Sequence, residues 1–266
     1  MELKSLGFKS EQIFTGFDGL VEDRGSYQVI RTLTNPHFFW GNLLIFDRAP
    51  ARGDFKSWVA TFKKEFPDPR IYHVTLAWDV SDVGDVSEFL EHGYDFQPQA
   101  VLSTKTVKPP TKFSPDLEVR PLREESDWTA MIELQVLSAH DTMPREEWQK
   151  FYVSQAARYR AMAKVGLGDW YGGFWQGRLV CGLGLFHRDG LARYQIVCTH
   201  PDFQRRGFAG TLVYKVAANA LANLDVRELV MCADPDYHAI RIYEDVGFVR
   251  REVEYGVYWW NRNEPR

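Results

Sequence analysis

Beyond residue 116 the apolar positions regroup in a readable order. LEVRPLREESDW passes from a period of two into a helical spacing, so it reads as a strand entering a helix. PREEWQKFYVSQAARYRAMAKV keeps apolar side chains three and four positions apart and begins with Pro144, which suits a first helical turn because it has no N–H to satisfy. Three strands follow, WYGGFW, LVCGLGLFHR and ARYQIVCT, divided by the turn signals QGR and RDG. Residues 200–217, HPDFQRRGFAGTLVYKVA, are a turn running into a helix that ends near Leu221. The strand ELVMCA, a shorter helix around AIRIYEDV and the β-rich segment VRREVEYGVYWW complete this half. This order predicts an α/β architecture, an α+β mixed central sheet with helices on both faces.

The first part of the chain repeats the tail of that order. GSYQVIRT and FFWGNLLIFD read as strands, DFKSWVATFKKEF as a helix, YHVTLAWD as a strand, DVSEFLEHG as a helix and PQAVLSTKTV as a strand. Gly53 and Gly93 stand 40 positions apart, as do Gly207 and Gly247. One ungapped offset of 154 lays NLLIF on IVCTH, VTLAWD on ELVMCA and HGY on VGF. Two strands, two helices and two glycines in step point to a duplicated fold. Between the copies, VKPPTKFSPD has three of the 13 prolines and no apolar period, which reads as a linker. The expected domains are residues 1–110 and 116–266.

Composition narrows the functional classes. The net charge is −4 and neither half is basic, so nucleic acid is not expected as a partner. Nothing approaches the roughly 18 apolar residues that would span a bilayer, and MELKSLGFKSEQ lacks the apolar core of a secretory signal. The expectation is a cytoplasmic chain with no membrane association. Cys181, Cys198 and Cys232 are isolated in apolar runs and read as packing thiols, and the seven histidines show no metal-binding spacing, so no metal is expected.

The chemistry concentrates in QRRGFAG. An anion site at a helix start needs unhindered backbone N–H groups converging on one spot and the positive end of the helix dipole. Gly207 permits close approach, Ala209 and Gly210 keep the first turn uncrowded, and Arg205 and Arg206 add charge. By itself this pattern also describes an exposed turn with two solvated arginines.

With its preceding strand, IVCTHPDFQRRGFAGTL resembles motif A of the GCN5-related N-acetyltransferases, whose loop pattern is met by Gln204, Gly207 and Ala209. DYHAIRIYEDVGF is similar to that family's motif B, with Ala239, Tyr243, Gly247 and Phe248 in place. The resemblance covers about residues 116–260 and implies two acyl-CoA N-acyltransferase lobes in tandem. It further implies that the amides of residues 205–210, Phe208 among them, cradle the pyrophosphate of acetyl-CoA as co-substrate. The backbone of Val197, Cys198 and Thr199 would pair with the pantetheine arm. Tyr243 would be the acid for the departing thiolate, in a direct transfer to an amine on a small molecule or peptide. One position departs from the pattern: Asp236 stands where the family often has Asn, losing an amide donor near the pantetheine.

No general base is legible. His140, beside Asp141, falls where the family places its acceptor-facing loop, and His187 with Asp189 lies at a hairpin turn. In the first half the same offset sets PARGDF on QRRGFA and Phe89 on Tyr243. Pro50 lacks an N–H, Asp54 is negative and Phe55 is bulky, so that copy reads as degenerate, without a cofactor. The competing function is a non-catalytic CoA-binding regulator. A tandem repeat can supply its own interface, so a monomer is expected.

Overall fold

In the computed structural model, residues 1–139, 144–237 and 239–261 are described. They form two compact units that exchange segments: one comprises Met1–Val101, Cys232–Pro235 and the chain from Arg251, the other Leu102–Met231 and Asp236–Arg250. The units therefore do not divide at the proline-rich stretch. Residues 107–116 belong wholly to the second unit, and the C-terminal strand belongs mostly to the first.

The first unit opens with α1 (Leu6–Asp18), a helix that the sequence pattern did not single out. Ser5 caps it by accepting from the N–H groups of Gly7 and Phe8, and Phe8, Ile13 and Phe14 are buried. Strands β1 (Leu20–Asp23), β2 (Tyr27–Arg31) and β3 (Leu43–Phe46) pair antiparallel in turn. The stretch FFWGNLLIFD is only half strand, since Phe39–Gly41 make a 3-10 turn before β3. Helix α2 (Asp54–Glu65) then crosses to β4 (His73–Trp78), which lies parallel to β3. After α3 (Ser87–Glu91), β5 (Asp95–Phe96) and the first half of β6 (Gln99–Thr104), the unit is completed by most of the chain's last strand, β12 (Val249–Trp260). Residues Tyr255 to Trp260 of β12 run antiparallel along β4. Leu44, Leu76, Trp78 and Phe89 are fully buried, and Phe46 stacks on Trp58 at 3.8 Å.

In the second unit β7 (Glu118–Pro121), β8 (Gly168–Trp175), β9 (Arg178–Arg188) and β10 (Gly190–Thr199) pair antiparallel in order, and β11 (Val226–Ala233) joins β10 in parallel. The hairpins close on Gln176–Gly177 and Asp189–Gly190, all four at positive φ. That is the geometry whose twist matches paired strands. Helices α4 (Glu125–Ser138) and α5 (Arg145–Lys164) separate β7 from β8, α6 (Phe208–Asn223) links β10 to β11, and α7 (Ile240–Val246) follows β11.

The duplication is visible in backbone conformation. Gly53 and Gly207 are both left-handed, at φ 93° and 82°, and each caps the helix that follows, α2 or α6. Gly93 and Gly247, after α3 and α7, are left-handed too, at 77° and 116°. These conformations favour glycine because a Cβ crowds the backbone there.

Candidate active site

The site starts from a fault in a strand. Between Gln195, opposite Gly184, and Cys198, opposite Gly182, β10 carries one residue more than β9. Ile196 absorbs the bulge at φ 39°, an unusual conformation for a β-branched residue. On the other edge, pairing with β11 runs only from Gly190↔Val226 to Arg193↔Val230. Past that point β10 parts from its parallel neighbour, and the backbone of residues 194–199 is released along that edge. Tyr194 anchors the strand from behind, its hydroxyl donating to the Val213 carbonyl of α6 at 3.0 Å.

A cavity of about 440 Å³ fills the space that opens. Val197 and Thr199 line it, whereas Cys198 faces the other way and is buried, its Sγ 3.7 Å from the Gly182 carbonyl. Burial pushes the Cys198 thiol up to about 12, so it remains protonated. The next wall is the loop. After the turn Pro201–Phe203, capped by His200, the chain passes through Arg205 at φ 59° and Gly207 at φ 82° into α6. Gln204, Arg205, Gly207, Phe208, Ala209 and Gly210 all border the cavity. The first amides of α6 have no partner within the helix, and with the left-handed turns before them they make a concave donor surface at the positive helix end.

Helix α7 supplies the third wall with Ile242 and Tyr243. Tyr243 is only 7% exposed, and burial raises its phenol well above the usual value, so it stands as a proton-bearing donor at neutral pH. Phe203, Tyr237, Ala239, Asp245, Pro110 and Lys112 also border the cavity. Ala239 was legible as part of motif B. Pro110 and Lys112 were not, because their proline-rich surroundings look like a tether.

Besides Cys198, two anticipated residues are not in the cavity wall. Arg206 turns its guanidinium over the Phe203 ring, 5.1 Å from the centroid, and Asp236 is exposed on the approach to α7. His140 lies outside the described residues, as does Asp141. His187 is at the far end of β9, next to the hairpin, where burial lowers its pKa against the pull of Asp225 and Asp169. Among the described residues no group of three or more His, Cys, Asp or Glu is arranged to hold a metal.

The equivalent place in the first unit is built shut. Leu44, Ile45 and Phe46, which correspond to Cys198, Thr199 and His200, are paired with Leu76, Ala77 and Trp78 of β4. The strand edge released in the second unit is therefore consumed here by the ladder. The loop amides have partners as well: Gly53 N–H donates to Glu88 Oε2 at 3.0 Å, and Ala51 N–H to Asp54 Oδ2 at 2.7 Å. Phe55 packs against Phe89 and His92, with ring centroids at 5.3 and 4.0 Å.

A parallel strand pair feeding a left-handed glycine and a helix start occurs twice in one chain, splayed in the second copy and closed in the first, and this is a specific architecture. The fold is that of the tandem GCN5-related N-acetyltransferases. Residues 176–257 match the family model for FR47-like protein, which spans the loop, α6, β11 and α7. No curated protein matches the sequence. Among solved structures, the N-acetyltransferase fold here is similar to a functionally unknown conserved protein from Staphylococcus epidermidis ATCC 12228. That likeness has a TM-score of 0.76 at 14% identity and covers 92% of this chain and 95% of that one. A GCN5-related N-acetyltransferase from Kribbella flavida gives 0.64 at 10% identity over 94% and 93%. A tandem GNAT protein from the clavulanic acid biosynthesis pathway gives 0.57 at 12% identity over 91% and 83%. All three likenesses run over nearly the whole of this chain. Among the described residues no helix of this N-acetyltransferase fold is long and apolar enough to cross a membrane.

Proposed function

We propose that the second unit binds acetyl-CoA and transfers its acetyl group directly to an amine on a small molecule or peptide. One observation carries the reading: the free backbone edge of β10, the amide-rich start of α6 and the Tyr243 phenol converge on one cavity. In this reading the amides of residues 205–210 hold the pyrophosphate, with Lys112 and Arg205 at the mouth adding positive charge. The released edge of residues 197–199 pairs with the amide groups of the pantetheine arm.

The acceptor amine must lose a proton before it attacks, since near neutral pH it is mostly protonated. Its nitrogen then bonds to the thioester carbonyl carbon, and negative charge gathers on the carbonyl oxygen, where a backbone N–H of the released strand stabilises it. When the C–S bond breaks, the electron pair leaves with sulfur. Tyr243, held protonated by burial, donates to that thiolate. The first unit takes no CoA in this scheme, because Asp54 and Glu88 occupy the donor positions that a phosphate would need. We also place the chain as a monomer acting away from nucleic acid and membranes, in the cytoplasm.

The test is Tyr243→Phe. Calorimetry should show CoA affinity close to the wild type, while acetyl transfer to a panel of amines falls by about 100-fold or more, the range of a lost proton donor. A wild type that binds CoA yet acetylates none of the amines would instead favour a CoA-sensing regulator.

A further inference from the structure

Residues 107–116 look like a tether in sequence, yet they are bonded along the outside of the cavity. Lys108 N–H donates to the Val246 carbonyl at 2.9 Å. Thr111 donates from both its N–H and its hydroxyl to the two carboxylate oxygens of Asp245, at 2.7 and 2.8 Å. Ser114 N–H donates to Thr211 Oγ1 at 2.9 Å, and Ser114 Oγ to the Arg206 carbonyl at 2.9 Å. The Lys112 ammonium donates to the Arg205 carbonyl. Pro110 is buried against Gly210, and the Lys112 carbonyl sits where a Cβ on Gly207 would have to go.

Two of the carbonyls that accept from this segment, those of Arg205 and Arg206, belong to consecutive peptide units of the phosphate-binding loop. In a trans peptide the C=O and the N–H point in opposite directions. Holding the Arg205 and Arg206 carbonyls outward therefore turns the N–H groups of Arg206 and Gly207 inward, to the concave side formed by the left-handed turns at 205 and 207. Without outside partners these peptides would exchange between orientations, and part of the binding energy of an anion would go into ordering them.

We infer that residues 108–114 are a strap that presets the loop amides for the phosphates of acyl-CoA, with Ser114 and Thr111 as positioning residues and Pro110 and Lys112 as the outer wall of the cavity. The inference rests on the acetyl-CoA reading of the site. Thr111 and Ser114 do not border the cavity: Ser114 acts through the Arg206 carbonyl of the loop, and Thr111 by fixing the strap to Asp245 of α7.

The test is the double variant Thr111→Val with Ser114→Ala, measured by calorimetry with CoA and by steady-state acetyl transfer. Kd for CoA and KM for acetyl-CoA should rise about tenfold or more, from hydrogen bonds lost at two positions. The value of kcat should stay within about twofold, and the unliganded Tm should fall by only a few degrees, as expected for two side-chain hydrogen bonds lost outside the core. Ser114→Thr, which keeps the hydroxyl, should restore affinity. In the wild type, CoA should slow trypsin cleavage after Lys112, a readout that needs no variant to fold. A CoA affinity unchanged in the double variant, a fall in kcat at constant KM, or cleavage at Lys112 indifferent to CoA overturns the strap. Failure of the wild type to bind CoA shows separately, and removes the acetyl-CoA reading together with it.

Discussion

Alanine at two equivalent glycines should have unequal effects. Gly53 and Gly207 occupy the same place in the two copies, both left-handed, and an L-residue in that conformation costs roughly 1–2 kcal/mol. At Gly53 nothing lies within 4 Å of an added Cβ, so the backbone cost is the whole effect. At Gly207 the Cβ meets the Lys112 carbonyl, a backbone atom that cannot give way unless the segment holding it moves. Moving it disturbs the Ser114 bond to Arg206 and the Lys112 bond to Arg205, at about 1 kcal/mol for each bond lost. The expected destabilisation is then about 2–4 kcal/mol at Gly207 against about 1–2 at Gly53. In thermal melting at fixed scan rate, the fall in Tm for Gly207→Ala should be roughly double that for Gly53→Ala. Calorimetry should show CoA affinity reduced at least about tenfold by Gly207→Ala and untouched by Gly53→Ala. Equal melting shifts, or full CoA affinity in Gly207→Ala, would refute the account of the loop.

Other outcomes follow from the same geometry. CoA should bind with a stoichiometry of one per chain, and Asp54→Ala with Glu88→Ala should leave it at one, because β3 remains paired to β4 even after the loop amides are freed. Asp127, held by Arg120 and by the N–H groups of Arg123 and Glu124 at the start of α4, has its pKa lowered to about 2. Its stabilisation is complete above the unfolded value near 4 and disappears as pH falls toward 2, so the acid limb of a stability profile should be shallower in Asp127→Ala, which also loses about 1 kcal/mol at neutral pH. In native protein at pH 8 a thiol reagent should modify half-exposed Cys232 first, leaving Cys181 and Cys198, whose thiols burial holds protonated, until unfolding. Rapid labelling of Cys198 in folded protein would contradict its placement behind β10.

Much of this was legible without coordinates. The 154-residue offset, the glycine at each helix start and the aromatic at Phe89 and Tyr243 are local signals, set by φ, periodicity and side-chain size. The spacing of Gln204, Gly207 and Ala209 was enough to place a donor-rich turn. Three things were hidden. α1 has a short apolar face and escaped notice, although Ser5 is a sound cap. Residues 107–116 carry the composition of a tether, and nothing local says that Thr111 will meet Asp245, 134 positions away. The last strand reads as the end of the second copy, yet most of it belongs to the first unit, and Tyr255 to Trp260 pair with β4 there.

The sequence by itself determined most of the elements, their duplication and the chemistry that each turn can offer, because those depend on neighbours a few residues away. Pro50, Asp54 and Phe55 already marked the first copy as degenerate at its loop, but only the tertiary structure shows that its strand edge is closed. The difference is one of strand registry: β10 carries an extra residue at Ile196 and leaves β11 after Arg193, while β3 stays paired to β4 through Phe46. Pairing between strands is a long-range choice, made by what each edge can bond to. The same backbone pattern therefore becomes a ligand edge in one copy and a closed ladder in the other.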